Sequence, residues 1–302
     1  MTNKISKKQH YIPRFIIRNF IVGKEEIKIF DKYNNIIYTR KNTNNIFSVN
    51  NIYNYNSDDV LEKIFSQKES DASKIIRKII NLQKHVCNTL GNKKQKSKDI
   101  ELSNKEKILI KEFILLMIMR NPYFIKEITH KKGSRIAWNT IRKTPWIRNI
   151  SSIYYFNKAF SNVYRQIYKE NFYAKAMADA ITADRYESIK KIKKHELIII
   201  TKFKSDIEFI ITDRPWFYHS VNNLYGGIFM SIHPLVAIGI NTLIRSDGHD
   251  KIYIISDMEV KRINKQLFNN STIIIPAKNR LVDSYIKNTK KNNKRKKNFH
   301  IK

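Results

Sequence analysis

Between Asp58 and Val86 the apolar positions recur with a helical period. Val60, Leu61, Ile64, Phe65, Ala72, Ile75, Ile76, Ile79, Ile80 and Val86 trace one stripe, which predicts a long amphipathic helix. Glu62 and Glu69 lie seven residues apart on one face of it. Ser103-Asn104-Lys105-Glu106 has the form of a capping box and opens a second helix, from 104 to about 120. Its Phe113–Met119 segment is apolar all round, which predicts a buried central helix ended by Arg120-Asn121-Pro122.

Ahead of these lie short apolar runs. Pro13 sets up a short helix over 13–21, with Phe15, Ile16 and Phe20 near helical spacing and Arg14 and Arg18 on one side. Ile27–Phe30 and Ile36–Tyr38 read as a hairpin turning through Asp31 to Asn35. Residues 40–56, rich in Asn and Tyr, read as an ordered loop anchored by Ile46, Phe47, Ile52 and Tyr53. Residues 127–150 carry Trp138 and Trp146 among arginines, a mixture that single-strand binders use and that ordinary basic helices share; 151–190 turn helical again.

After Lys194 the period changes. Leu197–Ile200 and Ile207–Ile211 read as joined strands, followed by Gly227–Ser231, Leu235–Ile240 and Ile252–Ile255. Ser256-Asp257-Met258-Glu259 is a second capping box before a helix to about Phe268. Ile273–Ile275 then leads to a last helix near 278–287. The fold class expected is α+β, with a mostly helical N-terminal two thirds packed on a C-terminal, mostly antiparallel sheet and a terminal helix. One domain is expected over 9–286, between a flexible start (1–8) and a disordered basic tail (287–302).

Charge is what composition adds. Among 302 residues, Lys+Arg number 58 against Asp+Glu 26, a net +32. A field of that sign favours polyanions, and nucleic acid is the expected partner. AT-rich coding raises lysine too, but it would raise glutamate with it, and acids are scarce. Cys87 is the sole cysteine, which excludes an internal disulfide and a cysteine-built zinc site. No apolar run approaches the roughly 20 residues a membrane span needs, and no signal-peptide pattern opens the chain, so a soluble, cytoplasmic protein is expected.

His10-Tyr11-Ile12-Pro13-Arg14-Phe15, with Arg18-Asn19-Phe20, resembles the opening signature of the bacterial domain of unknown function family 4238. That signature runs His-Tyr-x-Pro, then Arg or Gln, then a short Leu-x-x-Phe helix. Further matches follow in order. Glu62 and Glu69 stand where the family has paired glutamates, and Arg120-Asn121-Pro122 where it has Arg-Thr-Pro. Phe209–Pro215 is similar to the family's Phe-Ile-Thr-Ser-Asp-Asn-Pro, with Thr212 and Arg214 departing from it, and Phe229–Pro234 resembles a later strand ending in Ser-Pro. The resemblance runs from residue 9 to about 285. It implies a fold and brings no established activity.

The chemistry-bearing residues are few. His10 suits a general base, an acid or a metal ligand; pinning a helix turn through a backbone carbonyl is its structural alternative. Asp213 should emerge at the C-terminal end of its strand, as a catalytic carboxylate or the base of an Asx turn. Glu62, Glu69 and Asp213 would suit Mg²⁺ or Mn²⁺ better than zinc, or else pair with basic side chains. Arg14, Arg18 and Arg120 match phosphate bidentately, or else pair with those glutamates. No Walker loop, GxGxxG, nucleophile elbow or HExxH occurs.

The first reading is therefore a metal-dependent phosphodiesterase or nuclease, of a kind that suits phage defence or a toxin system. In it His10 and Asp213 are catalytic, Glu62, Glu69 and Asp213 hold the metal, and Arg14, Arg18 and Arg120 bind phosphate. Its rivals are a non-catalytic nucleic-acid-binding module and an enzyme acting on a small anionic substrate such as a nucleotide.

Overall fold

A computed structural model describes residues 8–21, 26–50, 60–90, 97–123, 195–221, 225–241, 250–276 and 284. The expectations for 1–7, for Ile52 and Tyr53, for Trp138 and Trp146, for the helix over 151–190, for 278–287 and for the basic tail fall almost wholly outside these residues.

Strand β1 (Lys8–His10) pairs antiparallel with β4 (Ser48–Asn50), and α1 (Arg14–Asn19) follows β1 directly. Between them the hairpin β2 (Ile27–Asp31) and β3 (Ile36–Arg40) forms as its alternation predicts. Asn35 takes φ 54° in the turn, a left-handed conformation that Asn tolerates. Helix α2 (Val60–Leu90) buries Phe65, Ala72, Ile75, Ile76, Ile79 and Val86, six positions of the predicted stripe. Strand β5 (Ser97–Asp99) leads to α3 (Asn104–Met119), whose Ser103–Glu106 capping box is closed in both directions.

The C-terminal half supplies β6 (Leu197–Thr201), β7 (Ile210–Thr212), β8 (Trp216–Val221), β9 (Tyr225–His233), β10 (Val236–Asn241), β11 (Lys251–Ile254), α4 (Asp257–Asn270) and β12 (Ile273–Pro276). The second capping box, Ser256–Glu259, opens α4 as expected. Six strands form one sheet in the order β5-β11-β6-β10-β9-β8, and four form another, β3-β2-β12-β7. Strands β6 and β10 are buried at every position, as apolar runs in the middle of a covered sheet must be. Gly239 on β10 is obligatory, since a Cβ there would meet the Phe229 ring and the Ile228 carbonyl oxygen. Helix α1 packs on β9 and α3 on β10, while α2 lies against α3 and α4 against β8 and β7.

This arrangement overturns the expected fold class. Among the described residues the helices lie mainly in the N-terminal half, yet that half also contributes β1 to β5, and β2 and β3 join β12 and β7 in a sheet that draws on both ends of the chain. Helices and strands are therefore not segregated along the sequence. The large sheet is mixed, because β11 runs parallel to β6. Nor do Leu197–Ile200 and Ile207–Ile211 form a hairpin, for β6 and β7 belong to different sheets. Sheet membership is decided by pairing over long sequence separations, which local alternation does not encode.

Candidate functional site

The site is assembled around the first strand and helix. Pro13 lacks an N–H and stands at the start of α1, where its carbonyl accepts from Ile16 and Ile17. Tyr11 donates its backbone N–H to Phe47, and the rings of Tyr11 and Phe47 lie 5.9 Å apart. Phe47 is held at φ 53°, a left-handed conformation costly for a bulky residue. These contacts fold the 43–47 loop back over β1.

Thr43, buried in that loop, holds two of the predicted residues. Its carbonyl lies 3.1 Å from His10 Nε2, and its Oγ1 accepts from Arg14 Nε at 3.1 Å. A carbonyl only accepts, so Nε2 carries the proton and Nδ1 is the imidazole's acceptor. Burial holds the His10 pKa below its usual 6.5. The Thr43 hydrogen bond works against that shift, Arg14 and Arg120 reinforce it, and Glu69 opposes it. With Nε bound to Thr43, the two terminal nitrogens of Arg14 have no partner among the described residues. Lys8 Nζ donates to Asn45 Oδ1 in the same loop.

Opposite stands α2. Glu62, Ser66, Glu69, Ser70 and Ser73 recur at helical spacing on a stripe that flanks its apolar one. Arg120 caps the C-terminus of α3, and only 1% of it is exposed. Its guanidinium lies 4.8 Å from the centre of the Phe65 ring and is ion-paired to Glu69. Together these groups enclose an open cleft of about 470 Å³, to which Phe15 adds an aromatic wall.

Five of the sequence-predicted residues thus meet: His10, Arg14, Glu62, Glu69 and Arg120. Two do not. Arg18 is exposed on α1 and does not line the cleft. Asp213 is wholly buried at the end of β7, where its carboxylate accepts from Tyr123 Oη at 2.7 Å and from the Thr272 backbone N–H at 3.0 Å. Burial raises its pKa, while Tyr123, the Thr272 and Ile273 N–H groups and Arg214 limit the rise.

Asp213 is nonetheless tied to the cleft. Asn121, the neighbour of Arg120, donates Nδ2 to the Asp213 carbonyl at 3.0 Å and accepts the Tyr123 N–H on Oδ1 at 3.0 Å. The Arg214 guanidinium stacks 3.9 Å from the Tyr123 ring centre. Two motifs far apart in sequence, Arg120-Asn121-Pro122 and Thr212-Asp213-Arg214, therefore interlock.

The expected metal set does not gather. Asp213 faces Tyr123 and Thr272 rather than the cleft, and Glu69 is engaged by Arg120. Among the described residues no group of three or more His, Cys, Asp or Glu side chains is arranged to hold a metal ion.

Sequence reasoning missed Thr43, Lys8, Tyr123 and the serines of α2. The serines were legible, since 66, 70 and 73 share helical spacing with Glu62 and Glu69. Nothing local marked Thr43, whose importance arises from a chain reversal.

A family model described as "Protein of unknown function (DUF4238)" matches residues 8–280. No curated protein and no solved structure matches the chain.

Proposed function

The chain belongs to the DUF4238 family of proteins of unknown function, and from that premise we propose that its cleft binds the phosphodiester backbone of nucleic acid and cleaves it with His10 as general base. The observation that carries this reading is the double anchorage on Thr43. One residue fixes an imidazole with an open acceptor nitrogen and a guanidinium with open donors, side by side at one cleft.

The chemistry follows from those two groups. Arg14 binds the non-bridging phosphate oxygens, and Lys8 adds positive charge beside it. His10 Nδ1 takes the proton from an attacking hydroxyl as its oxygen bonds to phosphorus. The bond from phosphorus to the leaving oxygen breaks, and that oxygen takes a proton from water. Negative charge growing on the phosphoryl oxygens is met by Arg14. Arg120 and Glu69, bound to each other, form the floor that fixes α2 against the end of α3. The net charge of +32 supports a polyanionic substrate over a small one.

The test is incubation of the full chain with single-stranded RNA and DNA, each with Mn²⁺ and with EDTA. Cleavage of either polymer that disappears in His10→Ala is the expected result. Cleavage in Mn²⁺ alone would add a metal to the mechanism, with Glu62 the cleft carboxylate to examine first. Tight binding without cleavage, unchanged in His10→Ala, would favour a non-catalytic binding module instead.

A further inference from the structure

Resting on that reading, we infer that the cleft recognises one unpaired ribonucleotide, so that the substrate is single-stranded RNA. Three observations lead there. The first is size. A cleft of about 470 Å³ lies in the range of small-ligand sites, large enough for one nucleotide and too small for a duplex. A base must leave the stack to enter it.

The second is the serine stripe. Serine is a mediocre helix former, because its hydroxyl competes for the backbone. Three on one face of α2, all turned to the cleft, are not there for the helix. Ser73 Oγ donates to the Ser70 carbonyl at 2.8 Å. Ser66 and Ser70 are exposed, and among the described residues neither hydroxyl has a protein partner. Two hydroxyls one turn apart, each donor and acceptor, suit the 2′-hydroxyl of a ribose, which both donates and accepts, and its 3′-oxygen, which within a strand only accepts.

The third is Phe15. It follows Arg14, packs by its ring against Phe113 at 6.1 Å between centres, and supplies the apolar wall of an otherwise polar cleft. An aromatic wall beside a phosphate-binding arginine suits an unstacked base, which finds there the π-face it lost. Phosphate on Arg14 and Lys8, ribose on Ser66 and Ser70 and base on Phe15 give each part of one nucleotide a partner in the cleft.

The experiment titrates the full chain with adenosine 5′-monophosphate, its 2′-deoxy counterpart and inorganic phosphate, at one low salt concentration. The deoxynucleotide is expected to bind about tenfold tighter than phosphate, the gain from stacking, and adenosine monophosphate about fivefold tighter than the deoxynucleotide, the gain from one hydrogen bond. Phe15→Leu should abolish the first ratio and leave the second; the paired change Ser66→Ala and Ser70→Ala should do the reverse. Equal affinity for all three probes, or a ribose preference untouched by the serine changes, overturns the inference. Phosphate binding and cleavage without nucleotide preference would overturn it while leaving the proposed function standing. Absence of phosphate binding altogether would defeat both.

Discussion

His10 and Arg14 owe their orientation to one carbonyl and one hydroxyl of Thr43, and the two contacts can be separated. Thr43→Val removes the hydroxyl, frees Arg14 and leaves the carbonyl that holds His10. We expect cleavage to fall about tenfold, the worth of a charge-assisted hydrogen bond, with the pH dependence unchanged. His10→Ala should instead cost about 10²–10⁴ in rate, the usual contribution of a general base. The pH profile follows from the same residue. Burial and two neighbouring guanidiniums lower its pKa, so the active neutral form persists to pH values below 6.5. Rate should therefore rise with pH through a midpoint below 6.5, and a midpoint above 6.5 would contradict the assignment.

Among the elements, the joint between the end of α3 and β7 matters most, because it delivers Arg120 to the cleft. Asp213→Ala strands the Tyr123 hydroxyl and the Thr272 N–H. Its expected cost is about 1–3 kcal/mol, read from denaturant unfolding. Glu69→Ala removes the carboxylate ion-paired to the buried Arg120 guanidinium and should cost about 3 kcal/mol. Ser256→Ala, which breaks the capping box of α4, should cost about 1 kcal/mol and leave the cleft unaffected.

At this scale the sequence was largely readable. The stripe of α2, both capping boxes and the β2–β3 hairpin are local patterns; the capped helices and the hairpin formed within a residue or two of their expected bounds, and α2 runs four residues past its expected end. Sheet membership was not readable. Strand β12 pairs on one side with β7 and on the other with β2 of the N-terminal hairpin, by contacts that no short window contains. The site divided the same way. Residues with strong chemistry stood out, whereas Thr43 and Tyr123 act only through where the chain returns.

For the whole molecule, charge and buried imidazoles set the behaviour in solution. Neutralising several phosphates releases their counterions, so affinity for nucleic acid should fall by about tenfold or more between 50 and 200 mM salt. Stability should fall with acid. Burial lowers the pKa of His10 and His195, and that of His233 to about 4. His233 Nδ1 accepts the Leu235 N–H at 3.1 Å, a bond that protonation breaks. Below pH 6.5 the unfolded chain therefore binds more protons than the folded one, and stability declines from there towards pH 4. A melting temperature constant from pH 7 to pH 4 would contradict this burial. Among the described residues no helix is long and apolar enough to cross a membrane.

The central claim is that His10 at this cleft cuts a phosphodiester. End-labelled single-stranded RNA, incubated at pH 7 and low salt with the full chain or with His10→Ala, tests it most directly when binding is measured on the same samples. The account predicts that the unsubstituted chain cuts the RNA and that His10→Ala binds within a few-fold as tightly but cuts about a hundredfold or more slowly. RNA left intact by the unsubstituted chain with and without Mn²⁺, or cut equally fast by His10→Ala, would contradict it.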